Sequence, residues 1–160
     1  MLLSPKSTAA LTFAMSSIVF LVSVSSQFWL GKVPCLLCFI TRYCFLGVAL
    51  LSAASLWKRK FRWISLAAVF LCFSFSCYHL GVENHWWAAP QSCAAELPTL
   101  DKLETIETLD NSKVYCDRAN WLIFGISSTL WSFVIAAFLF WFSSLSYAVN
   151  YYLRKLDDDD

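Results

Sequence analysis

Two cysteines three positions apart, Cys35 and Cys38, stand directly behind Pro34, where one apolar run stops and another starts. A C-x-x-C pair can lie open as two thiols or close as a disulfide, which makes it a two-electron couple. Pro34 has the fixed φ that suits the opening of a helix. The two sulfurs are therefore expected in a first helical turn, where unpaired N–H groups and the helix dipole favour a thiolate. Arg42 follows Cys38 by four residues and Cys35 by seven, so all three share one helix face. It lies about 10 Å deeper along the axis than Cys35. In a membrane-spanning helix, an arginine at that depth is functional by default. Its alternative is a snorkelling anchor.

The chain holds seven cysteines. Cys93 and Cys116 lie in a long polar segment, while Cys44, Cys72 and Cys77 sit within apolar runs and read as small packing hydrophobes. Taken alone, Cys93 and Cys116 suggest a bridge that merely closes a loop, worth ~3 kcal/mol. Two cysteine pairs facing one compartment shift that reading towards thiol–disulfide exchange between them. Four cysteines still permit three pairings. No metal site is expected: zinc usually takes four ligands, and His79 and His85 are not a zinc-type pair. His79 and Glu83, one turn apart, are either an interfacial pair or part of the site.

These residues need elements to hold them. The composition is 59% hydrophobic and 18% aromatic, with only 14% charged residues and a net charge of +1. Soluble domains carry about 25% charged residues, so this is a membrane protein, and the charge gives nucleic acid no support. Residues 7–31, 63–82 and 119–153 lack any charged side chain, and 33–57 is broken only by Arg42. Each run exceeds the ~20 residues that cross a bilayer. The first is too long for a cleaved leader.

The expectation is an all-α, four-transmembrane-helix bundle in one domain, 1–150, with helices near 9–30, 35–57, 63–82 and 121–148. A long outer loop, 83–120, and a short tail, 151–160, complete it, the closing Asp157–Asp160 run looking like an added tail. Lys6, the Lys58–Arg62 cluster, Arg154 and Lys155 put both termini in the cytoplasm and the two cysteine pairs outside. Within the loop, Leu97, Leu100, Leu103, Ile106 and Leu109 suggest a short surface-lying helix in a mobile segment.

Pro34-Cys35-Leu36-Leu37-Cys38 with Arg42, the two-cysteine loop and the four helices resemble the disulfide bond formation protein B (DsbB) family. Tyr78-His79-Leu80-Gly81-Val82-Glu83 with Pro90 and Cys93, and Trp121-Leu122-Ile123-Phe124-Gly125-Ile126-Ser127 after Cys116, extend the likeness over about residues 10–145. It implies a protein-disulfide oxidoreductase of the bacterial inner membrane. Such an enzyme re-oxidises a periplasmic, thioredoxin-fold DsbA and passes the electrons to a quinone, ubiquinone or menaquinone. On that resemblance Cys93 meets DsbA, Cys116 is its loop partner, Cys35 and Cys38 pass electrons on, and Arg42 and His79 lie at the quinone. Thr41 departs from the family, where Glu or Gln often precedes the arginine.

Two rivals bracket this reading. Vitamin K epoxide reductase-like enzymes place their C-x-x-C after the loop cysteines, whereas here it precedes them. A non-enzymatic, tetraspanin-like four-helix scaffold has no need of C-x-x-C-x-x-x-R at a helix start.

Overall fold

The computed structural model describes residues 4–30, 34–90, 93, 116 and 122–159. Four helices dominate: α1 (Pro5–Leu30), α2 (Leu36–Trp57), α3 (Phe61–Glu83) and α4 (Ser128–Asp159). Each is long and apolar enough to cross a membrane. They pack in cyclic order, α4 closing back on α1. The protein is an all-α integral membrane bundle.

In lipid there is little hydrophobic drive between helices, so small residues and hydrogen bonds hold them. Thr8 Oγ1 donates to Ser146 Oγ at 2.6 Å, and Thr12 and Ser143 face each other one turn on, joining α1 to α4. Ser52 and Ser65 join α2 to α3 at 2.9 Å. Between these seams lies a core of Phe45, Val48, Val69, Cys72, Ala136 and Leu139. Cys44 packs against it, so Cys44 and Cys72 are the packing residues expected of them.

The element ends depart from expectation, for local reasons. α1 begins at Pro5 rather than 9, because Ser4 caps it (Ser7 N–H to Ser4 Oγ, 3.2 Å) and Pro5 fits the first helical position. α3 begins at Phe61 rather than 63, its first N–H reaching Lys58 O at 3.1 Å. The fourth helix was expected from 121 but starts at Ser128. Residues Leu122–Ile123 and Ile126–Ser127 instead form a two-stranded hairpin, β1 and β2, pairing Ile123 with Ile126. Its turn, Phe124-Gly125, has φ of 53° and 78°, the two positive values of a type I′ turn. Ser127 then caps α4 through Leu130 N–H at 3.1 Å. At the other end α4 runs to Asp159, taking in residues read as tail. The Leu97–Leu109 stripe lies outside the described residues.

Pro5, Arg59, Arg62, Asn150 and Tyr151 line one small cavity, so both ends of the chain meet the basic turn at one end of the bundle. The two cysteine pairs gather at the opposite end.

Candidate functional site

Pro34 precedes α2 without entering it, and Cys35 is the capping residue. Its Sγ accepts the N–H of Cys38 at 3.1 Å, a sulfur taking the place of the usual cap oxygen. Cys38, in the first turn, lies with its Sγ 2.7 Å from that of Cys35. Donating its S–H to Cys38, with burial adding to the effect, holds the Cys35 thiol above its usual range.

A third group arrives from α3. His79 Nε2 lies 3.6 Å from Cys35 Sγ and 3.8 Å from Cys38 Sγ, and the imidazole is buried. Of the two histidines, only His79 joins the cysteines. His85 is exposed and sits at φ 59° just past the end of α3. That left-handed residue closes the helix: His85 N–H reaches Val82 O at 3.1 Å and Trp86 N–H reaches Gly81 O at 2.8 Å. The two bonds form a Schellman cap. The chain then folds back so that the Trp87 ring lies directly on Gly81, leaving no room for a Cβ.

This reversal delivers the second sulfur pair. Cys93 N–H bonds to Pro90 O at 2.7 Å, and Cys93 is disulfide-bonded to Cys116. Cys93 is 3% exposed and Cys116 1%, both set among Cys35, Leu37 and Val82. The two pairs therefore share one apolar cluster.

Arg42 is 8% exposed and turned towards α1. Its Nε donates to Ser23 Oγ at 2.9 Å, Nη1 to Gln27 Oε1 at 2.7 Å and Nη2 to Ser23 O at 2.8 Å. All three acceptors are neutral, so hydrogen bonds orient the guanidinium without cancelling its charge. Beside it opens a cavity of about 290 Å³ between α1, α2, α4 and the hairpin. Apolar side chains such as Ile18, Val22, Phe45, Phe124 and Ile135 make up much of its wall, and Cys38, Arg42 and His79 all face it.

The family profile described as "Disulfide bond formation protein DsbB" matches residues 5–145, nearly the whole membrane domain. The chain belongs to the DsbB family. It is also 28% identical over 122 residues to the "Disulfide bond formation protein B" of Verminephrobacter eiseniae (strain EF01-2), covering 71% of this chain and 69% of that one. No solved structure matches it. As a DsbB-family protein it is a membrane disulfide oxidoreductase of disulfide bond formation.

The residues singled out in the sequence fall into one assembly, with Cys35, Cys38 and His79 in contact and Arg42 on the same cavity. Glu83 ends α3, half-buried. Sequence reasoning passed over Ser23 and Gln27 as functional groups. Gln27 lies fifteen positions before Arg42, so no local spacing links them. The available signal was chemical: Thr41 leaves Arg42 without an acidic or amide neighbour in its own helix, and an acceptor has to come from elsewhere.

Proposed function

We propose that this DsbB-family protein re-oxidises a soluble, thioredoxin-fold thiol oxidase of the DsbA type and passes the electrons to a membrane quinone. The observation that carries this reading is the cavity at the rim of the bundle, where a cysteine sulfur, an imidazole and a guanidinium without an acidic partner among the described residues converge on apolar walls. Its volume is close to the ~300 Å³ at which ligand pockets begin, enough for a planar head group. A bound quinone would supply the acceptor for two electrons and two protons. Arg42, held by Ser23 and Gln27, would bind a carbonyl oxygen through its remaining N–H donors. His79, beside both sulfurs, is placed to take up and return a proton.

Both sulfurs of the rim pair pack with the cluster that holds Cys93 and Cys116, Cys35 as one of its buried members and Cys38 against its edge, but of the two only Cys38 also lines the cavity. Cys35 would thus exchange with the loop pair while Cys38 serves the acceptor. In each exchange a thiolate attacks a disulfide sulfur, one S–S bond breaks as another forms, and a mixed disulfide lies between. The protein would lie in the bacterial inner membrane with its termini in the cytoplasm. The basic turn Lys58–Arg62, at the same end of the bundle as Pro5 and Tyr151, supports that orientation.

The test is quinone reduction by reduced DsbA with the purified protein in detergent, followed optically. Turnover should require Cys38. A Cys38→Ser protein that still reduced quinone at the normal rate would overturn the reading.

A further inference from the structure

We infer that the reduced Cys35/Cys38 pair, together with His79, forms a binding site for a soft divalent cation of the zinc class, available only while the pair is a dithiol. The Sγ atoms of Cys35 and Cys38 and a ring nitrogen of His79 lie within 4.8 Å of one another. Tetrahedral zinc, with Zn–S of about 2.3 Å and Zn–N of about 2.0 Å, sets S···N near 3.6 Å and S···S near 3.8 Å. The two S···N distances here are 3.6 and 3.8 Å. Only the S···S distance of 2.7 Å has to widen, by about 1 Å, to admit the ion.

The surroundings suit a metal thiolate. The Cys38 N–H already points at Cys35 Sγ, the kind of outer hydrogen bond that steadies a sulfur ligand. Cys38 and His79 both face the cavity, so a fourth position opens there for water, the three-ligand pattern of an open zinc site. On binding, the two thiols release their protons to solvent and no electrons move. Closing the Cys35–Cys38 disulfide removes both sulfur ligands, so oxidation and metal binding exclude each other. The cation would hold the pair reduced and out of exchange. The inference does not rest on the quinone reading, because it needs only the dithiol and the imidazole.

The test uses full-length protein in detergent carrying Cys93→Ser and Cys116→Ser, reduced and freed of reductant without air, with Co²⁺ and then Zn²⁺ as probes. One Co²⁺ per chain should bind with thiolate-to-metal charge-transfer and tetrahedral ligand-field bands, which Zn²⁺ erases and prior oxidation with diamide prevents. His79→Ala should weaken binding by more than about ten-fold, the least that loss of an outer-shell partner costs a zinc site. Cys44→Ala should leave it unchanged. In the protein that keeps His79, saturating Zn²⁺ should block maleimide labelling of Cys38, since the sulfur that carries the metal is no longer a free thiolate. Equal binding in a folded His79→Ala protein, binding that survives oxidation, loss with Cys44→Ala, or unprotected Cys38 would each overturn the inference.

Discussion

The loop pair and the rim pair sit in one apolar cluster, yet they are held in opposite ways. Cys93 and Cys116 come from outside the helices and lie among Leu37, Val82 and Ala89. A covalent bond joins them, and among the described residues a backbone bond to Pro90 O fixes Cys93 to the turn after α3. Cys35 and Cys38 are built into the start of α2, where a helix N–H, an imidazole and a cavity surround the sulfurs. The contrast matters because buried polar groups are costly to strip of their partners, whereas apolar contacts part with less penalty. Among the described residues, lifting the loop pair off the rim breaks mainly apolar contact. Moving the rim pair would uncap a helix and strand His79. In the proposed relay, the pair that has to travel is the one whose described neighbours are mostly apolar, and the pair that has to stay is anchored.

The sharpest way to break this comparison is to disable one pair and read the other. Cys38→Ser should reduce quinone turnover to background and leave Cys93 and Cys116 accumulating as dithiol in the presence of reduced DsbA, measured by thiol labelling. Cys116→Ser should also stop turnover, and its lone Cys93 thiolate, attacking the disulfide of oxidised DsbA, should trap a covalent Cys93–DsbA complex, visible on a non-reducing gel, because no second loop thiol remains to resolve it. Since Cys93 is 3% exposed, that complex requires the loop to leave the rim. A Cys116→Ser protein that trapped DsbA through Cys35 instead would assign the travelling role to the wrong pair.

The four spans were legible because charge-free runs of bilayer length leave few alternatives. The C-x-x-C and Arg42 were legible because helical spacing is local. The hairpin was not: Phe124-Gly125 lies inside an apolar run whose hydropathy is the same for a strand as for a helix, and only the positive φ at both residues separates them. His79 stood out as a candidate, but its contact with both sulfurs depends on how α3 packs on α2, which no spacing encodes. Nor did the sequence suggest that Cys93 and Cys116 would be buried, since a polar loop reads as exposed.

Arg42→Ala comes next in size. The guanidinium is the charged group among the cavity's described lining residues, and a hydrogen bond to a charged group is worth about 1.5–3 kcal/mol. Apparent quinone affinity should fall by roughly ten-fold or more, while the protein still inserts and still exchanges with DsbA. Unchanged quinone kinetics would make Arg42 an anchor only. Gly81→Ala acts on the other pair. A Cβ there runs into the Trp87 ring, so the turn carrying Cys93 has to shift, at a cost of about 1–3 kcal/mol. Loop-to-rim exchange should slow in stopped-flow assays with quinone affinity unchanged. Equal loss of both would mean that the end of α3 serves the two sites together.

The smallest expected effect separates orientation from charge at Arg42. Gln27 accepts from Nη1 and Ser23 from Nε and Nη2, so α1 fixes the plane of the guanidinium from two sides. Gln27→Ala leaves the charge in place and removes one of three neutral acceptors. The Nη1 donor can then turn to water from the cavity, which recovers part of the bond, so the net loss should be about 1 kcal/mol. Apparent quinone affinity should weaken only a few-fold, well short of Arg42→Ala, and exchange between the sulfur pairs should not change. Combining Gln27→Ala with Arg42→Ala should cost no more than Arg42→Ala alone, because the glutamine acts through the arginine. Additive losses in that double-mutant cycle would show Gln27 to touch the head group directly, and the orientation argument for α1 would fail.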